Sequence, residues 1–218
     1  MENPNFNTYK TDKSLDNYSK KAYLTNIESF LIDKYFKSPV LDLGCGTGRT
    51  TKCLFDKGFD VTGVEIVKEM VEKAKSLFPK IKFRIGDATN LKFKDSSFNT
   101  VFFSFNGPDY IHPEEKRIEA FKEISRVLKR EGFFVFSSHN PKALFLKPRP
   151  NFILRNLKRG TLFSRYKMEQ QPFGTLLTHY MSPKKQIEMI ERNTDLRFVK
   201  MYRKSGGDLH PHYVFVKK

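Results

Sequence analysis

The sequence predicts an α/β fold: a mostly parallel sheet with helices on both faces, its strand-like runs numbering seven. Three observations carry this. Strand-length apolar runs, rich in Val, Ile and Phe, recur at residues 39–43, 59–64, 81–85, 99–105 and 133–138. Helix-length segments lie between them, and such alternation favours parallel strands joined by crossover helices. A glycine-rich turn, Gly44-Cys45-Gly46-Thr47-Gly48, follows directly on the first run.

The elements follow in order. Apolar positions Leu24, Ile27, Phe30, Leu31 and Tyr35 recur at helical spacing, so 15–36 reads as one leading helix. The run 39–43 is a buried strand, and the turn after it opens a helix. Strand 59–64 ends at Glu65 and strand 81–85 at Gly86-Asp87-Ala88. Strand 99–105 is followed by Asn106-Gly107-Pro108-Asp109-Tyr110, and a helix over 114–129 leads into strand 133–138. Residues 139–181 break the alternation with Pro141, Pro148, Pro150 and Pro172. Ser182-Pro183 is an N-cap and first-turn pair that starts a helix to about Arg192. Strands 196–202 and 212–216, with Gly206-Gly207 between them, close the chain as a hairpin. The predicted organisation is a single domain: a helical cap (1–37), a cofactor-binding core (38–138), a basic insertion or lid (139–181) and the C-terminal part of the core (182–218).

The strand, glycine turn and helix form a corner that brings backbone close to a ligand, because no Cβ intervenes and the helix presents unpaired N–H groups. The spacing departs from the dinucleotide pattern Gly-x-Gly-x-x-Gly, since the third glycine, Gly48, comes one position early and Arg49 follows it. Glu65 stands about 20 residues past the loop, the distance at which an acid reaches ribose hydroxyls in such folds.

The segment LDLGCGTG, with Glu65, Asp87 and the RVLK-x-x-G run before the fifth strand, resembles the class I S-adenosylmethionine-dependent methyltransferases, specifically the small-molecule branch, whose Rossmann-like seven-stranded sheet implies one antiparallel strand from the C-terminal pair. The resemblance implies S-adenosylmethionine as cofactor and S-adenosylhomocysteine as product. It implies cofactor contacts from Asp42, Gly44, Cys45, Gly46, Glu65, Ile66, Asp87, Ala88, Ser104 and Asn106, with Asp87 at the adenine amino group. Tyr9, Tyr18 or Tyr23 is then placed to reach the cofactor carboxylate. Asn106-Gly107-Pro108-Asp109 lacks the Asn/Asp-Pro-Pro-aromatic motif of methyltransferases acting on DNA bases or glutamine, and neither cysteine sits there as pyrimidine methylation requires.

His139 directly follows the fifth strand, and its ordinary pKa, about 6.5, suits proton removal near neutrality. It is the candidate general base or acceptor-orienting group, with Asp109, Tyr110 and His112 as alternatives in the loop after the fourth strand.

Composition sets the remaining bounds. The 218 residues are 39% hydrophobic with 22 Phe, enough for a large core. Cys45 and Cys53 form no disulfide framework, no Cys/His cluster has metal-ligand spacing, and no run is long enough to span a membrane. The N-terminal residues do not read as a signal peptide. A cytoplasmic protein is expected.

The net charge of +16 admits an anionic partner. Lys142, Lys147, Arg149, Arg155, Lys158, Arg159, Arg165 and Lys167 lie in 142–168, a span without an acid that also carries apolar residues such as Phe145, Phe152, Ile153, Leu154, Leu157 and Phe163. The leading expectation is methyl transfer to oxygen or nitrogen of a small, potentially anionic molecule, with 139–181 as the acceptor lid. The alternatives are an RNA methyltransferase that uses 142–168 to bind phosphates, and a cofactor-binding protein that docks this segment on an anionic membrane. Oligomeric state is left open.

Overall fold

The computed structural model describes residues 5–19, 22–146, 150–203 and 209–218. The positions of Lys147, Pro148, Arg149 and the Gly206-Gly207 turn lie outside them, as do the side chains of Phe145 and Leu146.

The strands are β1 (Val40–Leu43), β2 (Val61–Glu65), β3 (Lys82–Ile85), β4 (Phe98–Phe103), β5 (Leu128–Ser137), β6 (Tyr166–Gln171), β7 (Gly174–His179), β8 (Leu196–Tyr202) and β9 (His212–Lys217). The helices are α1 (Phe6–Tyr9), α2 (Asp12–Tyr18), α3 (Asn26–Tyr35), α4 (Arg49–Asp56), α5 (Lys68–Leu77), α6 (Glu114–Val127), α7 (Lys142–Leu146), α8 (Pro150–Lys158) and α9 (Pro183–Asn193). The main sheet has the order β3-β2-β1-β4-β5-β9-β8. Strands β3 through β5 pair in parallel, and β9 runs antiparallel between β5 and β8. The seven-stranded sheet with one antiparallel strand is therefore as the sequence predicts. Strands β6 and β7 form a separate hairpin.

Side-chain alternation divides the core in two. On one face Phe134, Phe136, Tyr213 and Phe215 stack beneath Phe121 and Ile124 of α6 and Ile190 of α9. On the other, Val135, Val214 and Phe102 meet Leu31 and Ile32 of α3, Leu54 of α4 and Val71 of α5. Burying such a side chain contributes roughly 1.5–3 kcal/mol, and most of the Phe-rich composition is spent here.

Two boundaries differ from expectation. The leading segment is not one helix: α2 ends at Tyr18, and α3 starts afresh with Thr25 as N-cap. Thr25 Oγ1 accepts from the Glu28 N–H, while Glu28 Oε2 accepts from the Thr25 N–H at 2.8 Å. This reciprocal box satisfies two end groups and fixes a new helix start. Helix α6 also stops at Val127 instead of 129, because fully buried Leu128 already pairs with Phe98 in the sheet.

Strand order reverses between β1 and β4, whose chain neighbours lie on opposite sides. In open α/β sheets the crevice beyond the strand ends at such a point receives the ligand.

Candidate active site

A cavity of about 450 Å³ opens at this reversal. Its floor is the end of β1 with the glycine loop, the end of β2, the Gly86–Thr89 turn and the residues following β4.

Gly44 and Gly46 both hold positive φ, at 64° and 55°. At Gly44 a Cβ would stand 2.5 Å from the Phe103 ring, whereas at Gly46 it would meet nothing nearer than Met70 Sδ at 3.9 Å. Gly44 is therefore required by packing, and Gly46 keeps a space clear in the cavity wall.

Glu65 ties the loop to the sheet. Its Oε2 accepts from the Gly46 N–H at 3.1 Å, and its Oε1 accepts from Ile66 and Val67 N–H at 2.8 and 3.0 Å. Burial raises its pKa, opposed by these three donors. One acceptor position on Oε2 is still unused, and Glu65 lines the cavity.

Cys45, Gly44, Gly46, Ile66, Asp87, Ala88 and Ser104 also line it, so eight of the ten expected cofactor residues come together. Asp87 Oδ1 accepts from the Thr89 N–H at 2.8 Å, which shapes its turn. Asp42 and Asn106 differ. Asp42 is 1% exposed beneath the loop, where its Oδ2 accepts from Thr50 and Thr51 hydroxyls, each at 2.6 Å. Asn106 lies outside the wall and donates to His210 Nδ1 at 3.2 Å.

The sequence reading missed the clamp made by Arg49. This side chain forms a bidentate pair with Glu28 at 2.7 and 3.0 Å, donates to Ser104 Oγ at 2.9 Å and lies 3.8 Å over the Phe105 ring. It joins α3, the glycine loop and the end of β4 at the cavity rim. The signal was present in the sequence as Thr25-x-x-Glu28 and as Arg49 in place of a glycine.

The roof comes from the N-terminal segment: Asn5, Phe6, Tyr9 and Tyr18 line the cavity, opposite Tyr110, Ile111 and His112. Tyr23 stands outside the lining, leaving Tyr9 and Tyr18 of the three expected tyrosines. Burial pushes Tyr18 up to about 12 and Tyr9 also upward, so both hydroxyls are donors at neutral pH.

The expected lid, 139–181, supplies none of the described lining residues. It supports the roof instead. Asn5 bonds the Leu177 backbone in both directions, at 2.8 and 2.6 Å, and Thr8 Oγ1 donates to Thr175 O at 3.0 Å. The Phe173 ring lies 5.4 Å from Tyr18 and 6.1 Å from Tyr9.

His139 is likewise one side chain removed from the cavity. It is 5% exposed, and Asp109 Oδ2 accepts both its N–H, at 2.5 Å, and its Nδ1, at 2.9 Å. That bond leaves Nε2 as the acceptor, 3.4 Å from Asn106 Nδ2. Burial would raise Asp109, but hydrogen bonds from His139 and His179 and the charge of Arg117 hold it well below the carboxylate range. The His139 ring touches Tyr110, which does reach the cavity. His112 lies on the wall itself, with its buried Nδ1 lacking a hydrogen-bond partner, and burial lowers its pKa.

These residues fit S-adenosylmethionine. The open face at Gly46 admits a ligand against the backbone, and the free Oε2 position of Glu65 suits a ribose hydroxyl. Among the described residues, no group of three or more His, Cys, Asp or Glu side chains could hold a metal ion.

Comparison with known proteins agrees. Residues 40–132 match the family model described as a methyltransferase domain. A 2-methyl-6-phytyl-1,4-hydroquinone methyltransferase of Synechocystis is 39% identical over 107 residues, which is 47% of this chain and 32% of that protein. A demethylmenaquinone methyltransferase of Thermotoga maritima is 27% identical over 181 residues, 77% of this chain and 75% of that one. The matches span about a third to just over half the length of the first curated relatives. A solved S-adenosylmethionine-dependent methyltransferase from Methanosarcina mazei superimposes with a TM-score of 0.69 at 21% identity, covering 89% of this chain and 98% of that chain. The matched span, 40–132, carries the glycine loop and Glu65, and the chain has the fold of an S-adenosylmethionine-dependent methyltransferase.

Proposed function

We propose that the protein transfers the methyl group of S-adenosylmethionine to oxygen or nitrogen of a small molecule with an apolar, ring-sized body. The observation that carries this reading is the division of one cavity. The glycine loop and Glu65 form a polar side, and Phe6, Tyr9, Tyr18, Tyr110 and Ile111 form an aromatic and aliphatic side. The names of the Synechocystis and Thermotoga relatives refer to 2-methyl-6-phytyl-1,4-hydroquinone and to demethylmenaquinone, and they bear on the ring of the acceptor, not on the atom methylated. A hydroquinone combines a flat ring with hydroxyl groups, and such a ring suits the aromatic side.

When bound, S-adenosylmethionine supplies a methyl group already made electrophilic by its sulfonium. The protein has to hold the acceptor in line with it and exclude water, and positioning of this kind can lower a barrier by roughly 7–11 kcal/mol. The roof segment excludes water. His112, whose pKa burial lowers, stands on the cavity wall as the base for the proton that an acceptor hydroxyl loses. His139 is a positioning residue, orienting Tyr110 from behind the wall while Asp109 fixes its tautomer. The free thiols Cys45 and Cys53 support a cytoplasmic location.

The test is transfer of radiolabel from S-adenosylmethionine into a cell extract split into small-molecule, lipid, RNA and protein fractions, with Glu65→Ala as control. Label in small molecules or lipid, absent with the variant, supports the reading. Label in RNA or protein overturns it. His112→Gln is expected to lower kcat about 10²–10⁴-fold and to remove the acidic limb of its pH profile. His139→Gln is expected to raise KM for the acceptor more than it lowers kcat.

A further inference from the structure

Helix α8 is mounted the wrong way round for a soluble surface. At 100° per residue, Pro150, Ile153, Leu154 and Leu157 fall on one stripe and Phe152 and Asn156 on the opposite side. The apolar stripe faces solvent: Ile153, Leu154 and Leu157 are 45%, 51% and 58% exposed. The polar residue faces inward. Asn156 is fully buried, donates to Met168 O at 3.2 Å and accepts from Met168 N–H at 2.8 Å and Thr161 Oγ1 at 2.6 Å. These bonds fix the orientation of α8 on β6, so the exposed stripe is not a chance rotation.

Beyond α8 the chain turns at a tip whose Phe163 is 96% exposed. The tip is held from within. Lys167, itself buried, donates to the carbonyls of Thr161, Leu162 and Ser164. Lys158 flanks the stripe and Arg159 follows it toward the tip, neither with a carboxylate partner among the described residues, while Arg165 pairs with Glu114. No acid occurs anywhere in 142–168. Apolar side chains flanked by uncompensated cations suit a surface that is negative outside and hydrocarbon within.

We propose that the outward face of α8, together with Phe163, docks the protein on the surface of an anionic lipid bilayer. Two features select this occupant. The charge is complementary, and a nucleic acid would leave the aliphatic stripe of Ile153, Leu154 and Leu157 in water. The docked helix is attached through β6 to β7, and β7 holds the roof of the cavity through Asn5 and Thr8. The docking face and the cavity roof are therefore held by the same hairpin. No helix among the described residues is long and apolar enough to cross a membrane, so the attachment is peripheral and reversible.

Co-sedimentation of the full chain with vesicles tests this without reference to methyl transfer, so it can fail while the acceptor reading stands, and the reverse. The protein is expected to pellet with vesicles of equal parts phosphatidylcholine and phosphatidylglycerol, and not with phosphatidylcholine alone. Leu154→Gln/Leu157→Gln/Phe163→Ser is expected to abolish pelleting while keeping S-adenosylhomocysteine affinity, since all three side chains are exposed. Lys158→Ser and Arg159→Ser are each expected to weaken binding about fivefold, the equivalent of about 1 kcal/mol per cation at an anionic surface. The proposal is overturned by absence of pelleting with the mixed vesicles or by pelleting that the triple variant leaves intact. A concentration-dependent dimer in place of vesicle binding, or capture of an RNA homopolymer in its place, also overturns it.

Discussion

On the cofactor side of the cavity, Glu65 takes its three N–H donors from Gly46, Ile66 and Val67, none more than 19 residues away. On the acceptor side, Asn5 takes its partners from Tyr110 and Leu177, 105 and 172 residues away. The first side is a property of one strand–loop–helix unit and of the strand beside it. The second exists only when an N-terminal segment, a turn after β4 and a hairpin of the insertion have all docked. One side can therefore serve a single cofactor across a family, while the other is free to change with the acceptor.

The comparison breaks first at Glu65. Glu65→Ala orphans three backbone donors, each at a cost of about 1–3 kcal/mol when buried, and removes the free acceptor position. S-Adenosylhomocysteine affinity, read by titration calorimetry, is expected to fall at least about a hundredfold, close to 3 kcal/mol. A loss under about threefold would show that the loop keeps its shape without the carboxylate and that the two sides do not differ as described.

Arg49 comes next, because it ties α3 to the glycine loop and the end of β4. The ion pair with Glu28 is nearly buried, with side chains 13% and 1% exposed, and burial would raise Glu28 if Arg49 did not hold it low. Removing one partner leaves the other charge without compensation, which costs about 3–5 kcal/mol. Arg49→Met is expected to lower the thermal midpoint by roughly 10 °C, at about 2–4 °C per kcal/mol for a chain of this length. The double variant Arg49→Met/Glu28→Gln is expected to recover most of it. Equal midpoints for single and double variants would show that the pair is not coupled.

The same contrast explains what the sequence made legible. The alternation of strands and helices and the glycine loop follow from periodicity and short spacing, which one chain displays, whereas the ten expected cofactor positions rest on the resemblance, and eight of them meet at the cavity. Tyr9 and Tyr18 were candidates, but choosing them over Tyr23 needed the β7 contacts. His139 was legible as a residue at a strand end. Its withdrawal from the cavity was not, because Asp109, 30 residues earlier, captures it. The break between α2 and α3 was readable from Thr25-x-x-Glu28, and apolar spacing masked it.

Phe173 separates the sides more finely. It is 7% exposed and packs on Tyr9 and Tyr18 without touching the cavity. Phe173→Ala is expected to cost about 3 kcal/mol of stability and to raise KM for the acceptor, with cofactor affinity unchanged within about twofold. Equal losses for both ligands would show that the roof belongs to the cofactor side as well.

The smallest effect lies under the glycine loop. Burial raises Asp42 to about 6 from an ordinary 3.8, against the hydrogen bonds of Thr50 and Thr51 and the charge of Arg49. Its Oδ1 has no partner among the described residues. A carboxyl whose pKa is higher in the folded than in the unfolded chain favours folding while it is protonated. That contribution is complete below about pH 4, declines as the pH rises toward 6, and is absent above it. Asn does not titrate, so the stability of the protein relative to Asp42→Asn is expected to fall by about 2 kcal/mol between pH 4 and pH 7. Every other titrating group is common to both proteins and cancels in the difference. Urea unfolding of both proteins at the two pH values measures it. A difference that does not change with pH would mean that Asp42 stays ionised beneath the loop, and that an unseen donor reaches Oδ1.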